Sequence, residues 1–308
     1  MQQESSYVKF QAREDFNKAR SKATISKILN ALTPERQELL SLEDVKNLIK
    51  PKNESYKGMR AVPIDKIVGS EGRYRDFNSA FLPKRDFVRG RWESVDRAHL
   101  TDVILPPIKL YEIGGVYFVR DGNHRVSVAK MQGAKEIDAE VIELDSEIPI
   151  EPGMTTAELK NKVIVFEKEQ VFEPTGLSRV IPPSEVSFTE PGRYVEMLRH
   201  IQGHKYFLNE GIEEEISLLK AASSWYENLY KPIVRIIRQE GIVSRFPGRT
   251  EGDLYIWIIK HWDKLKREHG EGFPLERAAV DYSDRYGQNL KSQVRSFLSR
   301  IFSRLFKG

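Results

Sequence analysis

Two short β-rich runs, 108–113 and 116–120, flank Gly114-Gly115 and lead into Asp121-Gly122-Asn123. A glycine pair between two alternating runs is a strong hairpin signal, because tight hairpin turns need positive φ. Asp-Gly-Asn is turn chemistry, and Val126 to Gln132 then reads as a helix closed by Gly133. A strand, a tight turn and a helix in immediate succession commit this stretch to a mixed β/α unit. Ala61–Ile67 reads as a strand entry before it and Ile137–Leu144 as a strand after it, so residues 61–145 form one compact unit.

Outside that unit the periodicity is helical. Val8, Ala12, Phe16, Ala19, Ala23, Leu29 and Leu32 predict a helix over 8–32, stopped by Thr33-Pro34. Ser41 is placed to cap a short helix with Glu43 and Asp44 in its first turn. Residues 51–58 read as a linker. Residues 146–192 hold six prolines and read as a linker or surface-wrapping arm. Helices are predicted at 193–208, 211–222, 224–240, 250–268 and 289–306, with Thr250 as N-cap and Asp253 at the capping-box position. Pro232 marks a kink or break in the third of these. The expected fold class is therefore α+β: an N-terminal helical arm (1–60), a small β/α domain (61–145), a linker (146–192) and a larger all-helical domain (193–308).

Composition enters chiefly as exclusion. The 308-residue chain has no cysteine, so it offers no thiol nucleophile, disulfide or thiolate-ligated metal. No apolar run reaches 18 residues, and Met1 to Lys22 lacks the apolar core of a secretory signal. The expected compartment is the cytoplasm. The net charge of +4 is unevenly spread. Residues 136–151 carry seven acids and no base, whereas 289–308 carry five bases and no acid, on a predicted amphipathic helix that could pack, dimerise or meet an anionic surface. Residues 73–97 carry seven Arg or Lys, among them Arg73, Arg75, Lys84, Arg85, Arg89 and Arg91, in an insertion that reads as a solvated loop or as a basic loop able to attract phosphate.

The segment richest in chemistry is Asp121-Gly122-Asn123-His124-Arg125. A helix N-terminus offers unpaired N–H groups and a positive dipole end, Gly122 permits close approach, Arg125 supplies a fork for phosphate, and His124 adds a titratable donor. Asp121 could orient the histidine, act as a base or hold Mg²⁺. The alternative is structural: Asp121 caps the helix, and His124 and Arg125 pair with the acidic strand. His200 and His204, four apart, could share a metal, but the expectation is ordinary surface or core histidines. Arg249, one residue before a helix N-cap, could reach the site, with a structural ion pair as its other reading.

Val62-Pro63-Ile64-Asp65-Lys66-Ile67, Pro107-Ile108-Lys109-Leu110 and Val119-Arg120-Asp121-Gly122-Asn123-His124-Arg125, with Ala129 and Gly133, resemble the ParB/sulfiredoxin superfamily, whose Gly-x-x-Arg turn binds nucleotide phosphates. Sulfiredoxins carry a reactive cysteine where Asn123 stands, so that chemistry is excluded. ParB proteins carry Glu-Arg where this chain has Asn123-His124. ParB-like free-serine kinases carry Asp-Gly-His-His-Arg, one residue from residues 121–125. Gly69 to Phe77, Pro174 to Leu177, His200 to His204 and Phe246 to Trp257 are also similar to bacterial ParB-like proteins with a helical domain of unknown function. The resemblance implies a nucleotide ligand (ATP, ADP or CTP) with Mg²⁺. It implies Gly122, Asn123, His124, Arg125, Arg73 and Arg75 as the binding residues, and places the basic insertion near the nucleotide, where it could close over the phosphates as a lid. Asp121 and His124 would serve in phosphoryl transfer to a small acceptor or in nucleotide hydrolysis, and Asp121 would be the Mg²⁺ ligand. The alternative function is a DNA-associated, partition-like regulator using the helical domain and basic tail, in which case DNA and a second copy of the chain are the expected partners.

Overall fold

The computed structural model describes residues 6–29, 38–211 and 213–288. Contacts divide the chain into two units that meet between Val163 and Ile164. The basic helix expected at 289–306 lies outside the described residues.

The first unit opens with α1 (Ser6–Leu29), which buries Ala12, Phe16, Ala19 and Ala23 of the expected stripe and Asp15 beside them, while Leu29 of that stripe is exposed and Leu32 lies outside the described residues. Then follow β1 (Leu40–Ser41) and α2 (Leu42–Ile49), where the Ser41 hydroxyl accepts from the Asp44 amide as the cap. β2 (Glu54–Pro63), β3 (Ile67–Ser70), α3 (Arg89–Leu100), β4 (Ile108–Ile113), β5 (Val116–Asp121), α4 (Asn123–Met131) and β6 (Glu136–Leu144) complete it. The six strands form one mixed sheet in the order β1-β3-β5-β4-β6-β2. β4 and β5 are the expected antiparallel hairpin, turning through Gly114 (φ 60°) and Gly115 (φ 86°). Strands β3 and β5, and β4 and β6, run parallel. Every residue of β5 from Val116 to Val119 is buried, as a central strand covered on both faces should be.

Three expectations are corrected in this unit. Residues 51–58 are not a linker throughout: β2 begins at Glu54 and pairs antiparallel along β6 as far as Pro63↔Glu136. It is a polar edge strand whose pairing partner lies some 80 residues away, so no local alternation betrays it. Both β1 and β2 belong to the sheet, although β1 and residues 54–60 of β2 fall in the stretch read as a helical arm; Ala61–Pro63 lie where a strand entry was expected. The third correction concerns the basic insertion, which is not an open lid. Phe77, Phe81 and Val88 are buried in the core, Asn78 Oδ1 accepts from the Ala80 and Leu82 amides, and the remainder is α3. Trp92 of α3 donates to Ser127 Oγ (2.8 Å), which donates to the Phe81 carbonyl (2.6 Å). These bonds tie the insertion, α3 and α4 together.

The sheet also accounts for the acidic block. Glu143 pairs with Lys57 of β2, Glu140 with Lys109 of β4 (3.4 Å), and Glu151 with Lys162 (3.3 Å).

The stretch 146–192 is not a linker throughout, since about half of it is helical. α5 (Thr156–Thr175) begins in the first unit and ends in the second. Thr155 and Glu158 form a reciprocal cap at its start, and Pro174 stands in its last turn, where a missing N–H no longer breaks a long run.

The second unit continues with α6 (Arg193–Leu208), α7 (Leu218–Trp225), α8 (Lys231–Gln239), α9 (Glu251–His269) and α10 (Leu275–Tyr286). The helix expected over 211–222 starts only at Leu218, because Ser217 caps it by accepting from the Lys220 amide. Between α7 and α8 one π turn, Tyr226–Tyr230, precedes Pro232, the break expected at this proline. Thr250 and Asp253 form the expected capping box. Asp253, fully buried, also accepts from the amide and hydroxyl of Thr189. The core here is aromatic: Trp225, Tyr230 and Tyr255 pack ring on ring. The fold is thus a mixed β/α sheet unit and a helical unit. Among the described residues no helix is long and apolar enough to cross a membrane.

Candidate anion site

β5 ends at Asp121 and α4 begins at Asn123, so the whole reversal falls on Gly122. Its φ is +110°, and a β-carbon there would stand 2.4 Å from Ile108 Cγ2. Glycine is required both by backbone conformation and by space. Gly122 is also the N-cap, with no side-chain cap, so Asp121 does not cap the helix. The first bond of the helix is Val126 N–H to the Gly122 carbonyl. The amides of Asn123, His124 and Arg125 have no intrahelical acceptor and carry the positive end of the helix dipole.

A cavity of about 610 Å³ opens at this end of α4. It is lined by residues 120–125, by Gly72 and Arg73, and by Phe87, Val88, Arg91 and Val95. Four arginines, Arg73, Arg91, Arg120 and Arg125, face a single carboxylate, Asp121. That balance gives the cavity a positive potential, which favours an anion.

The arginines are not equivalent. Arg125 is held: its Nη1 donates to the carbonyls of Pro106 and Pro107, and its Nη2 lies 2.5 Å from Asp121 Oδ2. It therefore braces the turn and the 106–107 loop, and does not pair with the acidic strand. Arg73 makes a 3.3 Å contact to Asp76. Arg120 lies over the Tyr111 ring, 5.6 Å from its centre. Arg91 is exposed and has no ion pair or hydrogen bond among the described residues. Arg75 does not line the cavity; its guanidinium stacks by Tyr74, 5.4 Å from the ring centre. Of the other insertion cations, Arg89 is turned to Asn17 and Glu93, and Lys84 to Glu38.

Two side chains in the first turn of α4 carry buried polar atoms without partners. Asn123 is 7% exposed, and its Oδ1 has no hydrogen bond. His124 sits edge-on to Phe77 with ring centres 5.6 Å apart, and its Nε2 is likewise unpartnered. Burial, reinforced by Arg73 and Arg91, lowers the His124 pKa to about 4. The imidazole is therefore neutral near pH 7, a hydrogen-bonding group rather than a cation.

Mg²⁺ is not accommodated by these side chains as they stand. Asp121 is the cavity's lone carboxylate and is paired with Arg125, and no cluster of three His, Asp or Glu side chains occurs among the described residues. His200 and His204 diverge to different partners: Tyr255 hydroxyl at 3.2 Å and Ser224 hydroxyl at 3.0 Å. Arg249 is structural, paired with Glu190, bonded to Thr189 (2.9 Å) and lying over Trp257.

Sequence reasoning named Arg73, Gly122, Asn123, His124 and Arg125, which the fold brings together. It placed Arg91 only among insertion cations and assigned no role to Phe87 or Arg120. The spacing of Phe87 and Arg91, four apart at the start of a helix, was the available signal.

No family model matches the chain, and no curated protein matches it. Among solved structures it is similar to one described as "Structure of the pNOB8-like ParB N-domain", at 12% identity and a TM-score of 0.21, over 72% of this chain and 82% of that one. A second, "Structure of the C2221 form of Pnob8-like ParB-N domain", matches at 11% identity and a TM-score of 0.21, over 81% and 99%.

Proposed function

We propose that this protein binds the phosphate groups of a nucleotide at the N-terminus of α4. The observation that carries the reading is the cavity itself: four arginines against one carboxylate, around a helix end whose first turn holds unpartnered buried atoms of Asn123 and His124. The amides of residues 123–125 and the guanidinium groups of Arg91 and Arg73 would meet the phosphate oxygens. Neutral His124 would donate from Nε2. Arg125 would act through the turn it braces, because its fork is already engaged by two carbonyls and Asp121. The proposal is binding. Phosphoryl transfer is not part of it, since Asp121, the carboxylate that would act as base, is ion-paired with Arg125. The DNA-binding alternative draws on the helical domain and on the basic tail, the latter outside the described residues.

The test is calorimetric titration with ATP, ADP, CTP and GTP, with and without Mg²⁺, on wild type and Arg91→Ala. Arg91 is exposed and unpaired, so its removal leaves the fold intact. At least one nucleotide should bind wild type, and Arg91→Ala should weaken it about tenfold, as expected for a charge-assisted phosphate contact. Equal affinity in the variant, or no binding to wild type, overturns the proposal.

A further inference from the structure

Phe87 is 64% exposed, whereas Phe77 and Phe81 of the same insertion are fully buried. It packs against no other ring among the described residues. It is nevertheless held in place. It is the middle residue of the 3-10 turn Asp86–Val88; Val88 behind it is 2% exposed, and Asp86 before it pairs with Arg20 (3.2 Å) and Arg89 (3.8 Å). Those anchors fix the backbone on both sides, and Phe87 lines the arginine cavity. Arg91, one helical turn on, faces the same cavity. A fixed, exposed aromatic face beside an arginine cluster is suited to a ligand that joins phosphate to a planar ring. An exposed phenyl ring recovers hydrophobic free energy when another apolar surface covers it, and a nucleobase can cover the whole face whatever its hydrogen-bonding edge.

We propose that Phe87 is the stacking platform for the base of the ligand, so that the cavity selects nucleotides over inorganic polyphosphate. This rests on the phosphate-binding reading above and adds the second half of the ligand. Val88 and Val95 supply the apolar wall beside the ring, and Arg73, Arg91 and the α4 N-terminus take the phosphates.

The experiment compares the best-binding nucleotide with inorganic tripolyphosphate on wild type, Phe87→Ala and Phe87→Trp. Wild type should prefer the nucleotide about tenfold. Phe87→Ala should erase that preference while leaving tripolyphosphate affinity unchanged. Phe87→Trp should keep it, with quenching of the new indole on nucleotide addition. A preference that survives in Phe87→Ala, or one absent from wild type that still binds tripolyphosphate, overturns the assignment of Phe87 and leaves phosphate binding standing. Failure of wild type to bind either ligand overturns the phosphate-binding reading, and the role of Phe87 with it.

Discussion

Replacing Gly122 by alanine tests the turn on which the site is built. Two costs add. The backbone must hold a non-glycine residue at φ +110°, which costs roughly 1–3 kcal/mol. The new methyl group would start 2.4 Å from Ile108 Cγ2, and Ile108 is 1% exposed in a packed strand. Relieving that overlap costs about 1–3 kcal/mol more. The sum, roughly 2–6 kcal/mol, is a large share of the stability of an ordinary domain. Gly115→Ala is the control: its φ is +86°, but no atom lies within 4 Å of the added carbon, so it carries the backbone cost alone. Trp92 is the one tryptophan of the first unit; Trp225, Trp257 and Trp262 belong to the second. Urea unfolding of 5-fluorotryptophan protein, followed at the ¹⁹F resonance of Trp92, therefore reports the first unit by itself. Gly122→Ala should lower that midpoint well beyond Gly115→Ala. Equal shifts in the two variants would refute the close approach of Gly122 to Ile108.

Arg125→Ala should destabilise the first unit by about 1–2 kcal/mol through loss of the bonds to Pro107 and Asp121, discounted for the exposure of Pro106 and Asp121, and urea midpoints measure it. Any loss of nucleotide affinity in that variant should come with this instability, unlike Arg91→Ala. His124 has a folded pKa of about 4 against 6.5 unfolded, so the unfolded chain takes up the proton first. Its contribution is complete above about pH 6.5 and is lost as pH falls toward 4, at most about 3 kcal/mol; His124→Gln should flatten the acid limb of stability against pH by that amount. In the helical unit, Thr250→Ala removes a hydroxyl that accepts from the Asp253 amide and donates to the Ser187 carbonyl, and should cost about 1–2 kcal/mol by chemical denaturation.

What could be read from the sequence was local. The Gly114-Gly115 hairpin, the Ser41 cap and the Thr250/Asp253 capping box each lie within a few residues, and all three occur as expected. The turn at the candidate site was legible for the same reason, since Gly122 through Arg125 are consecutive. The elements that escaped depend on distant partners. β2 is polar and becomes a strand by pairing with β6. α3 buries only Trp92, Val95 and Asp96, a stripe too narrow to stand out, with Gly90 in its first turn. The acceptors that occupy Arg125 are proline carbonyls, which no side-chain pattern announces. Phe87 and Arg91 join the site because α3 packs on α4 through Trp92 and Ser127, a contact spanning 35 residues.

The most direct test of the central claim is amide chemical-shift mapping with a single nucleotide on the full chain. Bound phosphate should move the amide resonances of Asn123, His124 and Arg125 most, with Arg73 and Arg91 next, and the changes should saturate together. Saturable binding that leaves residues 122–125 unmoved and shifts only the helical unit would contradict the account.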